Sequence, residues 1–317
     1  WLSIQFSCLR SLAAPRGPGG VQMTKKIDAQ IQPSCEDDME PALLSVESAI
    51  DNILNMVVPI AQIEHIPIRE ALGRILAEDL RSPIDVPNHT NAAMDGYAVR
   101  ATDLEKEGLT VIGTAWAGRA FEGRLEPGQC VRIMTGAVMP ENSNTVIMQE
   151  HVKRQDGIVY LASGQKPGQH VRQAGEDLTA GSIALVGKQR LFPAQLGVTA
   201  SLGLSQLPVF EKPRVAFFSN GDELRSINEP LSIGEVYDSN RYTLHAMLTR
   251  AGVEILDLGV VPDDPKRLEE TFERAASDAD LVITSAGASV GDADYVHQIL
   301  DKIGVVGFWK IAMKPGR

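Results

Sequence analysis

From residue 211 onward, short apolar runs alternate with segments of helical spacing, and nothing else in the chain constrains the fold as tightly. Arg214 to Phe218 reads as a strand. Ser239 to Arg250 reads as a helix, with apolar Leu244, Met247 and Leu248 and with Gly252 just past its end. Val253 to Leu258 follows as a second strand. Pro265 to Ser277 follows as a helix with Asp264 as N-cap and proline at its first position. Leu281 to Thr284 reads as a third strand, Val296, Ile299, Leu300 and Ile303 share a helical face, and Val305 to Trp309 reads as a fourth strand. A βαβαβαβ series of this kind predicts a mostly parallel sheet with helices on both faces.

In such sheets ligands bind beyond the carboxyl ends of the strands. Three successive loops bring carboxylates to that edge: Ser219-Asn220-Gly221-Asp222-Glu223, then Pro262-Asp263-Asp264-Pro265, then the turn from Thr284 to Tyr295 that carries Asp292 and Asp294. Tyr237-Asp238-Ser239-Asn240 adds polar groups at another helix start. Helix capping accounts for Asp264 and Ser239. It does not require further acids beside glycine and serine in all three loops. The Thr284 to Tyr295 turn holds Ser285, Gly287, Ser289 and Gly291, small residues and hydroxyls that suit close approach of an anion to the backbone. Carboxylates beside an anion repel it unless a cation lies between, so the pattern predicts a phosphate-bearing ligand with a divalent ion. Two familiar nucleotide patterns are excluded: Gly291 is followed by Asp292, not lysine, and Gly287 and Gly291 are four apart.

The formal net charge of -11 argues against broad binding of nucleic acid or anionic membrane, so an anionic ligand must be held locally. Lys314 and Arg317 are candidate local cations. Cys8, Cys35 and Cys130 lie far apart, which fits a reducing compartment and gives no zinc signature. No apolar run approaches the roughly 20 residues that span a bilayer.

Upstream, residues 1–42 read as an extraneous or disordered segment, acidic towards its end. Leu43, Leu44, Val46, Ile50, Ile53, Leu54 and Val57 share a helical face with Ser45 as N-cap and Pro59 as its stop. Ile68, Leu72, Ile75 and Leu76 predict a second, shorter helix. Residues 91–170 read as short strands punctuated by glycine: Thr110 to Trp116, Gln129 to Met134, Thr145 to Gln149 and Gly157 to Leu161. Asn91 to Ala98 reads as a loop of small residues presenting Asp95. Pro193 to Leu202 reads as a short helix, followed by a strand at Leu207 to Phe210.

Seven pieces, in order, resemble the MoeA family, the molybdopterin molybdenumtransferases, which includes the E domain of gephyrin. They are Ala93 to Arg100, Met134-Thr135-Gly136-Ala137, Gly175-Glu176-Asp177, Gly221-Asp222-Glu223-Leu224, Asp263-Asp264-Pro265, Thr284 to Tyr295, and Met313-Lys314-Pro315-Gly316. The resemblance implies a multidomain α/β plus β fold. Its parts would be an elongated linker domain (43–90 and 171–210), an inserted small β domain (91–170) and a doubly wound, MoaB/Mog-like α/β domain (211–317). Family members continue into a further C-terminal β domain, so the chain is expected to be a fragment.

The implied reaction inserts molybdate into adenylylated molybdopterin with hydrolysis of the adenylate. It implies Mg²⁺, a cytoplasmic homodimer, and exchange with a Mog-type molybdopterin adenylyltransferase and downstream cofactor-maturation proteins. By this resemblance Asp95, Asp177 and Glu223 are catalytic. Glu223, Asp263 and Asp294 face the metal. Ser285, Gly287, Ser289 and Gly291 cradle phosphate and pterin groups, with Thr135, Ser219, Gly221, Asp222, Asp238, Ser239 and Asn240 also binding substrate. Lys314 and Arg317 attract molybdate, and Asp95 acts across the dimer. Three residues depart from the family wording: Ala286 and Ala288 stand for glycine and valine, and Arg317 for lysine. The alternatives are a non-catalytic, gephyrin-like scaffold and a nucleotide-binding sheet of another class.

Overall fold

The structure is a computed structural model that describes residues 5–7, 44–285, 295–304, 306–307 and 311–312. Residues 63–210 form one compact unit; the described parts of 1–62 and 211–317 form the other.

The second of these units is built on a four-stranded sheet in the order Gln5–Ser7, Leu281–Thr284, Arg214–Asn220, Glu254–Val261. Arg214–Asn220 pairs in parallel with both neighbours. Its residues alternate between two cores, as the two-residue period of a strand requires. Val215 and Phe217 pack with Leu244 and Leu248 of the helix Ser239–Ala251. Ala216 and Phe218 pack with Leu268 and Phe272 of the helix Pro265–Asp278 and with Val296 and Leu300 of the helix Tyr295–Ile303. The Phe218 and Phe272 rings meet edge to face, 5.1 Å apart at 80°. The sheet is therefore doubly wound. The first crossover helix covers one face and leads to Glu254–Val261; the second covers the other face and leads back past the first strand to Leu281–Thr284. That reversal places a topological switch point at the carboxyl ends of Arg214–Asn220 and Leu281–Thr284.

Two details differ from expectation. Gln5–Ser7, read as part of an unstructured segment, pairs antiparallel with Leu281–Thr284, so the described sheet is mixed. Asp238, not Ser239, caps the helix Ser239–Ala251: its side chain accepts from the Arg241 N–H. A carboxylate one residue earlier reaches the third helical amide, which a serine already inside the helix cannot do. The strand expected over Val305 to Trp309 falls largely outside the described residues. Gly252 closes the helix Ser239–Ala251 with φ 79°, and Ser45 and Asp264 cap the helices Val46–Met56 and Pro265–Asp278 as the sequence suggests.

The unit 63–210 carries a six-stranded sheet in the order Thr145–Met148, Gly96–Val99, Gln129–Ile133, Leu109–Ala115, Ile158–Leu161, Val152–Gln155. All neighbouring pairs are antiparallel except Leu109–Ala115 with Gln129–Ile133. The motif around Asp95 is thus not wholly a loop, because Gly96–Val99 is a buried strand next to the sheet edge. A Cβ on Gly96 would lie 2.0 Å from the Ile147 carbonyl oxygen, so only glycine fits where Asp95 leads into the sheet. The predicted helix over Ile68 to Leu76 is also absent. Ile68–Glu70 makes a single 3₁₀ turn, Gly73 adopts φ 78°, and Leu76 bridges to Val209. Long-range pairing there overrides local helical spacing. Ile63–Pro67 pairs with Gln206–Phe210 where the chain enters and leaves this unit.

Candidate functional site

Hydroxyls occupy the switch point. Ser219 is fully buried and accepts a hydrogen bond from Ser285 Oγ at 3.0 Å, while the Ser285 N–H donates to the Phe218 carbonyl at 3.2 Å. The first two loops are sewn together directly beyond it. Asn220 Nδ2 donates to the carbonyls of Val261 (3.0 Å) and Pro262 (3.2 Å), and the Gly221 N–H donates to the Val261 carbonyl at 3.2 Å. Asp222 and Asp263 bond reciprocally: the Asp263 N–H donates to Asp222 Oδ1 at 3.1 Å and the Asp222 N–H donates to Asp263 Oδ2 at 3.4 Å. Glu223 folds back over Gly221, where a Cβ would fall 2.6 Å from Glu223 Oε2. Asp264 is used as a cap, its Oδ1 accepting from the Arg267 N–H at 2.8 Å.

A cavity of about 700 Å³ opens beside these loops, lined in part by Gly221, Asp222, Arg225, Ser226 and Arg241. Its cations are already partnered. Arg225 pairs with Glu235 at 2.5 Å, and Arg241 Nε lies 3.0 Å from both carboxylate oxygens of Asp257. The Ser232 N–H and then Arg225 hold the Glu235 carboxyl below the usual range. Asp238 is 2% exposed; Oδ1 accepts from the Arg241 N–H at 3.0 Å, and Oδ2 is buried with no hydrogen-bond partner among the described residues. Ser239 and Asn240 begin the helix that Asp238 caps.

Hard carboxylate oxygens from Glu223 and Asp263 suit Mg²⁺, which needs only one or two carboxylates when substrate phosphates and water complete its octahedron. Among the described residues no group of three or more His, Cys, Asp or Glu could hold a metal ion. Gly287, Ser289, Gly291, Asp294, Lys314 and Arg317 lie outside the described residues, as do Ala286 and Ala288.

In the unit 63–210 the structure brings together two residues that are 40 apart in sequence. Asp95 Oδ1 accepts from the Thr135 N–H at 2.7 Å and from the Thr135 hydroxyl at 2.8 Å. The Thr135 N–H, then its hydroxyl, with Arg132 assisting, hold the Asp95 carboxyl below the usual range. Arg132 was not anticipated by sequence reasoning. It sits opposite Tyr97 across the sheet, with its guanidinium 5.1 Å from the ring centroid, and donates to the Gly96 carbonyl at 3.1 Å. Only the strand register reveals that cation–π pair. Asp177 pairs with Arg172 at 2.5 Å, and Arg172 also holds Glu176 at 3.0 Å. Asn220, the second residue not anticipated, was legible only as part of its loop.

The fold and this edge define a doubly wound α/β module with an anion-suited switch point, joined in one chain to a β-rich unit. Residues 44–203 match the family described as MoeA N-terminal region (domain I and II), and residues 216–317 match the probable molybdopterin binding domain. A molybdopterin molybdenumtransferase of Haemophilus influenzae is 42% identical over 277 residues, covering 87% of this chain and 69% of that protein. One from a Nostoc species is 38% identical over 284 residues, covering 87% of this chain and 65% of its own length. Among solved structures, a molybdopterin biosynthesis MoeA protein from Pyrococcus horikosii aligns with TM-score 0.74 at 33% identity, covering 87% of this chain and 70% of that one. The chain belongs to the MoeA family.

Proposed function

We propose that the protein carrying this chain inserts molybdate into the dithiolene of adenylylated molybdopterin and hydrolyses the adenylate, releasing AMP. The observation that carries the reading is the Ser219–Ser285 hydroxyl pair at the switch point, flanked by Glu223 and Asp263 from two loops sewn together. Hydroxyls and amides there bind phosphate and pterin oxygens, with Gly287, Ser289 and Gly291 extending the cradle. Mg²⁺, when bound, would offset charge on the phosphoanhydride, and Glu223, Asp263 and Asp294 are the residues to hold it. Lys314 and Arg317 attract molybdate. Asp95, kept ionised by Thr135, orients the water whose oxygen bonds to phosphorus as the anhydride P–O bond breaks.

Asp95 and Thr135 reach this edge from the second subunit of a homodimer, with Asp177 in the same group. The layout of linker pieces (43–90 and 171–210), β insert (91–170) and α/β domain (211–317) belongs to this reading, as does a further C-terminal β domain in the whole protein. So do cytoplasmic location and exchange of substrate and product with a Mog-type adenylyltransferase and maturation proteins. The curated relatives support the assignment, and nothing in the comparisons favours the scaffold alternative. No described helix is long and apolar enough to cross a membrane.

The test supplies full-length protein with adenylylated molybdopterin, molybdate and Mg²⁺, and follows AMP and molybdenum cofactor together. Metal-dependent, stoichiometric formation of both is expected; binding without turnover would overturn the assignment.

A further inference from the structure

We propose that Asn220 is a positioning residue for the metal-facing carboxylate of Asp263, acting through the backbone of the second loop. The inference rests on the function proposed above.

Asn220 ends the first strand, and its amide reaches across to the backbone of the second loop. Its two N–H bonds are aimed at consecutive carbonyls, Val261 at 3.0 Å and Pro262 at 3.2 Å. These are the last residue of the second strand and the first of its loop. The Pro262 carbonyl is also tied from within the loop, accepting from the Asp264 N–H at 2.7 Å. Asp264 is fixed in turn as the cap of Pro265–Asp278. Asp263 therefore stands at the apex of a turn whose two flanks are both anchored. The Asp222 carboxylate fixes the apex amide itself, at 3.1 Å.

This arrangement leaves Asp263 little freedom to leave the edge it shares with Glu223. One residue, Asn220, supplies the only side-chain donors seen on the two carbonyls among the described residues. Groups that orient a metal ligand from behind are worth about 10–100-fold in metal affinity when removed.

Asn220→Asp separates positioning from charge. The substitution keeps the side-chain shape, deletes both donors and adds a negative charge near the metal-facing group. Simple attraction predicts tighter cation binding; lost positioning predicts weaker binding.

Mn²⁺ is the probe, titrated into full-length protein and read by electron paramagnetic resonance, which needs no turnover. We expect the half-saturating Mn²⁺ concentration to rise about tenfold or more in Asn220→Asp. The Mg²⁺ requirement of AMP release should rise in parallel, and KM for adenylylated molybdopterin should stay within about twofold. Asn220→Ala, which adds no charge, should weaken Mn²⁺ in the same direction and guards against an unfolded aspartate variant. Unchanged or tighter Mn²⁺ binding in either folded variant overturns the inference. Failure of the unsubstituted protein to bind Mn²⁺ overturns the metal-assisted reading on which it rests, so the two failures are distinguishable.

Discussion

Asp238 offers the sharpest test of the physical reasoning. The residue is 2% exposed, one carboxylate oxygen caps the helix Ser239–Ala251, and the other is buried without a partner among the described residues. A cap of this kind contributes about 1 kcal/mol. A buried oxygen with no donor costs about 1–3 kcal/mol. Asp238→Ser keeps a capping oxygen and deletes the orphan, so the helix should become about 1–2 kcal/mol more stable. Asp238→Ala deletes both and should fall about 1 kcal/mol below the serine variant. Native-state hydrogen exchange of the helix amides measures both differences. If Asp238 binds substrate, as the proposed function has it, molybdenum transfer should fall in both variants, because the orphan oxygen would be the acceptor for a donor arriving with the substrate. If Asp238→Ser destabilised the helix by more than about 1 kcal/mol, Oδ2 would have to be satisfied in the free protein, and the reasoning would fail.

Phe272→Ala should destabilise the α/β unit by about 3–5 kcal/mol, since the ring is fully buried and meets Phe218 edge to face; urea unfolding reads the loss. Thr135→Val removes one of two donors to Asp95, so the Asp95 carboxyl should titrate higher by carbon NMR yet stay below the usual range. The sign follows from linkage. A depressed folded-state value gives stability that is present above the unfolded pKa and lost as pH falls through the folded one, so in Thr135→Val that loss should be smaller and should be complete at a higher pH. Burial pushes the Cys130 thiol up to about 12, so peptide mass spectrometry should find it unalkylated at neutral pH until the protein is unfolded.

Much of the α/β unit is legible because its signals are local. Asp264 followed by Pro265, and Gly252 after Arg250, mark helix ends through the backbone conformations those residues favour. The apolar run from Val215 to Phe218 marks a strand covered on both faces. Where the reading failed, a distant partner decided. Ile68 to Leu76 has helical spacing, but Leu76 pairs with Val209 instead. Asn91 to Ala98 looks like a loop of small residues, but from Gly96 onward strands on both sides claim it.

The same division holds at the site. The sequence by itself determined which residue types gather at the strand ends, because the order of strands, loops and acids is written along the chain. Only the tertiary structure decided how they are used. The Ser219–Ser285 bond, the Asn220 stitch, the Asp222–Asp263 exchange and the Asp95–Thr135 pair each join residues 40 or more apart. A hydrogen bond is set by distance and direction in space, and a linear pattern specifies neither until the sheet has folded.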